Sequence, residues 1–343
     1  MAQVTSGLDP DNVTPAASLN RVRFTKLSGL PIPAGMIDWA AYALLSARAL
    51  ANLTAQHGVE EATRRYGDRL GWLLVTLRLG DPASRAARPD WDDSYWRHWA
   101  GITTVYLGGG IVSGEVGRQI AEQGARTLAG AGMSDCRVQV APWSEHLPLI
   151  GAARMIQGAP AAVVFDFGQS FVKRAFAAYQ DDTLAVLRLL PRVRAALPEF
   201  PPGTEPTIEQ TRVLADSMVE TMVETWRAAR TAEPEISRTI VASIACYIRD
   251  GQPMVRRGGA YAYLLDLTDN VASWLSERLS HAVGQELSVR LLHDGTAAAT
   301  ALAGEPNAAV IMLGTALGVG FPPPTSPGQP LAPGFAVQGA SVR

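Results

Sequence analysis

Ala162-Val-Val-Phe-Asp-Phe-Gly-Gln-Ser-Phe-Val-Lys173 carries an apolar run across a short polar turn into an alternating stretch. The pattern predicts one strand over Ala162–Phe165 and a second over Ser170–Tyr179, with Asp166-Phe-Gly-Gln-Ser turning between them. Thr183–Leu190 reads as a third strand. Beyond a loop at Pro201–Pro206, a helix over Thr207–Ala229 sets Leu214, Met218, Met222 and Trp226 at helical spacing, as core filler. A strand at Arg238–Cys246, a helix at Asn270–Val283, a strand at Leu287–Leu292 and an alanine-rich helix at Thr296–Ala303 complete the order βββ-α-β-α-β-α.

Upstream, helices are expected over Asp38–His57, with Asp38 as N-cap and Gly58 as stop, and over Val59–Leu79. Gly80–Asp93 reads as loop by composition. Trp91, Trp96 and Trp99 follow, either as packing residues or as a stacking surface for a ring. Then come a strand at Thr103–Leu107, the run Gly108-Gly-Gly-Ile-Val-Ser-Gly, a helix near Glu115–Ala129, a strand at Arg137–Ala141 and a helix near Ser144–Ile156. Downstream, Ala308–Leu313 is a buried strand, and the proline-rich tail Phe321–Arg343 is at least partly loop. Read from Ala308 off the C-terminus and back on at the N-terminus, this remainder resembles the central half. The fold class expected is α/β, built from two similar halves.

The bulk properties agree. At about 150 residues per domain, 343 residues suggest two domains. With 47% hydrophobic and 18% charged residues the chain is neither disordered nor fibrous. A net charge of −2 offers nothing to neutralise a phosphate backbone, so no nucleic-acid partner is expected. No apolar run approaches the roughly 20 residues of a membrane span, and residues 1–14 do not read as a secretory signal. Cys136 and Cys246 read as two buried thiols in a reducing compartment, so the expected location is cytoplasmic. Lys26 and Lys173 are the only lysines, which singles out Lys173 beside the hairpin turn.

Four segments could carry chemistry. The turn Asp166–Ser170 could aim N–H groups of Gly168, Gln169 and Ser170 at a phosphate, with Asp166 holding a hydrated Mg²⁺, or be an ordinary hairpin. Lys173 either screens the phosphates or points away. Leu313-Gly-Thr-Ala-Leu-Gly repeats the design, with Gly314, Thr315 and Gly318 as a second phosphate turn or a plain bend. In Leu291-Leu-His-Asp-Gly-Thr-Ala, Asp294 sits where a strand meets a helix, as a cap or as a base for a substrate hydroxyl. His293 beside it binds substrate or fills space. Gly108, Gly109 and Gly110 lie before a helix N-terminus, which suits a dinucleotide or lets a flat ring lie on backbone.

Together these four segments resemble the actin-like/hexokinase ATPase superfamily, most closely the ROK-type sugar kinases. Asp166-Phe-Gly-Gln-Ser-Phe-Val-Lys resembles the first phosphate motif of that family, and Leu313-Gly-Thr-Ala-Leu-Gly the second. His293-Asp-Gly-Thr-Ala-Ala-Ala is similar to the catalytic-aspartate segment, Val105-Tyr-Leu-Gly-Gly-Gly-Ile-Val-Ser to the adenosine motif, and Leu149-Ile-Gly-Ala-Ala to the closing helix. The order differs, because the adenosine motif and closing helix come first here, and joining the termini restores the family order. The resemblance therefore implies a circularly permuted, two-lobed, ribonuclease H-like α/β ATPase fold. Residues 1–150, completed by 295–343, would form lobe II with the adenosine site and second phosphate turn. Residues 151–294 would form lobe I with the first phosphate turn and catalytic aspartate.

The resemblance further implies ATP and Mg²⁺, Asp294 as general base, a small-molecule hydroxyl acceptor of sugar type and a homodimer. Gln169 stands where the family has a second glycine, and His293 where it has asparagine. The family's His/Cys zinc cluster and sugar-gripping segment are absent from the sequence. These departures keep open a non-catalytic ligand-binding sensor on the same fold. A dinucleotide oxidoreductase around Gly108–Gly114 would leave both hairpin turns and Asp294 unexplained.

Overall fold

The computed structural model describes residues 44–87, 91–197, 205–249, 251–254, 260–315, 317–325 and 328–339. The chain divides into two compact units, 1–145 with 306–321, and 146–305 with 322–343.

In the first unit, helix α1 is Ala47–His57. The expected start at Asp38 lies outside the described residues; within them the cap is Ser46, whose hydroxyl accepts the Ala49 N–H at 3.2 Å. Helix α2, Val59–Leu79, ends at Gly80 in the left-handed region. The segment expected to be loop contains a short helix α3, Pro82–Ala87. Asp81, a residue that favours both loops and helix starts, accepts the Ser84 N–H at 2.8 Å. Helix α4 is Asp93–Ala100, capped by Asp92. Trp91, Trp96 and Trp99 are all buried, which settles them as packing residues. Strand β1 (Thr104–Gly108), helix α5 (Gly114–Gly130) and strand β2 (Arg137–Val140) follow.

Strands β10 (Ala308–Leu313) and β11 (Leu317–Gly320) complete this unit's sheet, in the order β11-β10-β1-β2. The pair β10–β11 is an antiparallel hairpin, while β10, β1 and β2 are parallel. Helices α2 and α5 touch backbone to backbone. A Cβ on Gly71 would lie 2.5 Å from Thr127 Cβ and one on Gly67 2.6 Å from Gln123 Cβ, so only glycine admits this approach.

The second unit begins with helix α6, Leu147–Arg154. Strands β3 (Ala161–Phe167), β4 (Phe171–Gln180) and β5 (Thr183–Arg194) form an antiparallel meander. Helix α7 is Ile208–Ala232, closed at its start by a reciprocal Thr207–Gln210 capping box. Strand β6 is Thr239–Ile244, and a minor hairpin pairs β7 (Ile248–Arg249) with β8 (Gln252–Pro253). Helix α8 (Val271–Val283), strand β9 (Ser288–His293) and helix α9 (Asp294–Ala301) follow, and β12 (Leu331–Gln338) is the last strand of the described residues. The sheet order is β12-β5-β4-β3-β6-β9, with β3, β6 and β9 parallel. Helices α7 and α8 bury their apolar faces with Val163, Phe165, Ile240, Ala242 and Leu291. Ala162 and Val164 alternate to the opposite face, where α6 packs.

The unit boundaries differ from those expected. Residues 146–150, 295–305 and 322–339 belong with the second unit. The cause is packing. A Cβ on Gly151 of α6 would lie 1.7 Å from the Ala297 carbonyl oxygen of α9. The buried Arg154 donates to the carbonyls of Thr300 and Ala301, both at 2.8 Å, and of Gln329 at 2.9 Å. The tail expected to be partly loop supplies strand β12, parallel to β5 with a register shift between Leu331 and Ala336. Pro333 falls inside that shift on an edge strand, where a missing N–H is tolerated.

The two sheets share a pattern. In each, an antiparallel partner, a parallel strand and two further parallel strands run side by side: β4-β3-β6-β9 in one and β11-β10-β1-β2 in the other. In the second unit the hairpin precedes its parallel partners along the chain; in the first it follows them.

Candidate functional site

The parallel strands β3, β6 and β9 end at one edge of the second unit's sheet. The chain leaves β3 toward β4 on one side and later fills β6 and β9 on the other, so β3 and β6 flank a switch point. Carboxyl ends at such a point leave a crevice where ligands of open α/β sheets bind. Asp166 sits there, cross-strand from Lys173 on β4 and level with Ser243 on β6. Its side chain is nearly buried: Oδ1 accepts the Ser243 hydroxyl at 2.8 Å, and Oδ2 lies 3.4 Å from Lys173 Nζ. The lysine thus turns toward the carboxylate and does not point away.

At the end of β9, His293 is the residue before α9 and Asp294 the first residue of that helix. Asp294 is therefore not the N-cap, and its Oδ1 accepts the N–H of Gly295 at 2.6 Å and lies 3.0 Å from His293 Nε2. Its side chain keeps 27% exposure, while His293 keeps 8%. The imidazole stacks on Tyr247, with centroids 4.5 Å apart and planes at 16°. Burial pushes the Asp294 carboxyl up, but the His293 imidazole, the Gly295 N–H and the Lys173 ammonium outweigh it, so the group lies below its ordinary range. Lys173 thereby bears on Asp166 and Asp294 together. Cys246, just past β6, is pushed up to about 12 by burial and by the Asp294 charge.

The hairpin turn is braced from within. Gly168 N–H donates at 3.1 Å to the carbonyls of Asp166 and Phe171, and its own carbonyl accepts the Tyr261 hydroxyl at 2.8 Å. The Gly168 donor is thus committed to the turn, whereas Gln169 is half-buried and Ser170 exposed. Tyr261 is held up in pKa by burial and by the nearby Asp166 charge, so it stays a neutral donor.

In the first unit the two glycine segments meet. Gly109 has φ +95°, and a Cβ there would lie 2.2 Å from the Leu313 carbonyl oxygen, immediately before Gly314. Gly109 N–H donates to Ser144 at 2.8 Å, and Gly314 accepts the Ala47 N–H at 2.7 Å, which anchors α1 on this turn. Gly108 and Gly109 are buried and Gly110 is exposed, so Gly110 is the one of the three open to a ligand. Gly318 pairs with Met312 inside the ladder, while Thr315 is exposed at the turn. Ala316 lies outside the described residues.

Among the described residues no group of three or more His, Cys, Asp or Glu side chains could hold a metal ion. The donor set at Asp166 is one hard carboxylate. That suits a cation held mostly by water and phosphate oxygens rather than a protein cage. No helix among the described residues is long and apolar enough to cross a membrane. Ser243, Tyr247 and Tyr261 were not singled out from the sequence. A serine inside the otherwise apolar run Val241–Ile244 is the one signal that could have found Ser243.

Compared with known proteins, the chain matches no family model, and no curated protein matches it.

Proposed function

We propose that the chain is an ATP-dependent kinase that transfers the γ-phosphoryl group to a hydroxyl of a sugar or sugar-like small molecule. The observation carrying this reading is the pair of carboxylates, Asp166 and Asp294, at the carboxyl ends of parallel strands with one lysine bearing on both. Phosphoryl transfer needs that combination: a charge-balanced anion site, and a carboxylate that aligns the attacking hydroxyl and takes its proton. Two further facts support a circularly permuted, ribonuclease H-like ATPase fold of ROK type. The order β5-β4-β3-β6-β9 has a single antiparallel strand beside the first, and four of its five positions recur in the other unit. That second copy carries its hairpin after its parallel strands in the chain, as a permutation would leave it.

ATP supplies the phosphoryl group, and Mg²⁺, where bound, neutralises its charge; Asp166 would hold that cation. The residues of the chain do the rest. Lys173 offsets phosphate charge. In the second unit, Ser170 is the exposed residue of the turn between β3 and β4. Asp294, held ionised at neutral pH, orients the acceptor hydroxyl and receives its proton as the new P–O bond forms.

The test incubates the protein with Mg-ATP and a panel of sugars and cyclitols and follows ADP. Asp294→Asn should keep nucleotide binding and lose about 10²-fold or more in turnover. Full turnover in that variant would remove Asp294 from the reaction. One observation favours a second reading, a non-catalytic ligand-binding sensor: the Gly168 N–H is spent inside the turn. Ligand binding without ADP from any acceptor is its signature.

A further inference from the structure

We infer that His293 is a positioning residue for Asp294 and not a substrate-binding group, with Tyr247 as the platform that sets its ring. The inference rests on the proposed role of Asp294.

A histidine that contacts substrate must present a ring nitrogen to the crevice. Here Nε2 lies 3.0 Å from Asp294 Oδ1, and Nδ1 lies 3.5 Å from the Thr296 hydroxyl one turn along α9. Both ring nitrogens therefore face groups of the protein, and the side chain is only 8% exposed. The flat face is covered by Tyr247 at 16°. A ring held on one face and at both nitrogens has one orientation, and that orientation fixes the Asp294 oxygen it meets.

Asp294 needs this. As the first residue of α9 its χ angles are set by little else: Gly295 N–H takes Oδ1, and the side chain keeps 27% exposure. His293 and Gly295 both address Oδ1, which leaves Oδ2 as the oxygen to receive a hydroxyl proton. Among the described residues, the charged and titratable groups that bear on the pair are Lys173 from β4, itself 3.4 Å from Asp166 of β3, and Cys246 and Tyr247 from the segment after β6. Lys173 also lowers the Asp294 carboxyl, so its charge remains when the histidine is replaced.

The experiment compares His293→Phe and His293→Gln. Phenylalanine keeps the stack on Tyr247 and removes the donor; glutamine restores an N–H donor of similar reach. With the acceptor that gives ADP, His293→Phe should lose about 10²-fold in kcat while the acceptor KM and nucleotide affinity hold. The acid limb of its pH profile should move to higher pH, because Asp294 loses a lowering partner. His293→Gln should recover most of the rate. A rise in acceptor KM alone would make His293 a substrate contact and overturn the inference, as would wild-type kcat with an unmoved acid limb. A second readout does not need turnover: the Asp294 carboxyl carbon is titrated by NMR in wild type and His293→Phe. Titration at higher pH in the variant supports the pairing even if no acceptor yields ADP, and superimposable curves overturn it. Failure of the base reading shows separately, as full turnover in Asp294→Asn.

Discussion

Replacing Gly151 by alanine sets two known effects against each other. In the interior of an exposed helix this change gains about 1 kcal/mol, because glycine pays more backbone entropy. At Gly151 the new Cβ would lie 1.7 Å from the Ala297 carbonyl oxygen and 3.2 Å from the Ala301 N. Ordinary carbon–oxygen contacts sit near ~3.3 Å, so α6 and α9 must part by roughly 1.6 Å. The obstacle is helical backbone, which cannot rotate aside as a side chain can. Overpacking of this kind costs about 1–3 kcal/mol, and the parted helices also lose dispersion contacts along their length. The clash should win, with a net loss of about 2 kcal/mol. For a unit of this size that lowers the thermal midpoint by roughly 4–8 °C. The assay is calorimetric unfolding of wild type and variant. Gly130→Ala is the control, since nothing lies within 4 Å of its added Cβ; it should be neutral or slightly stabilising. Because α9 starts at Asp294, turnover should fall with stability in Gly151→Ala. A midpoint equal to or above that of wild type would refute the close approach of the two helices.

Arg154→Met should cost about 2–4 kcal/mol, because three carbonyls lose a charge-assisted donor, and Arg154→Lys should not restore it, since one ammonium cannot reproduce the fork; urea denaturation reads both, and a midpoint unchanged by methionine would overturn the assignment. Cys246, pushed up to about 12 by burial and the Asp294 charge, stays a protonated thiol across the neutral range. Cys136 is likewise raised by burial. Neither should react with iodoacetamide at pH 7.5 until the chain is unfolded in guanidinium, and fast native-state alkylation counted by mass spectrometry would contradict their placement.

Much of this architecture is written in local pattern. The apolar run before Asp166, the alternation after Ser170 and the helical spacing of Leu214, Met218, Met222 and Trp226 announce β3, β4 and α7, because side-chain periodicity is a property of neighbours in the chain. The strand-end positions of Asp166 and Asp294 were legible for the same reason. Lys173 stood out by rarity, and the hairpin register turned it onto Asp166.

Other features depend on residues brought together from far along the chain. Strand β12 has little pattern of its own; Pro333 and Gly334 read as loop, and the segment is a strand because the open edge of β5 offers it hydrogen bonds. Helices α6 and α9 joined the second unit because Gly151 lets backbone meet backbone and Arg154 finds carbonyls some 150 residues away in sequence. From the sequence His293 reads equally as a substrate contact or as a space filler; packing sets its ring against Tyr247 and Asp294. Periodicity and turn chemistry are short-range and leave their mark in composition. Which element covers an edge, and which side chain a histidine meets, are set by distant segments competing for the same space, and no window of neighbouring residues records that outcome.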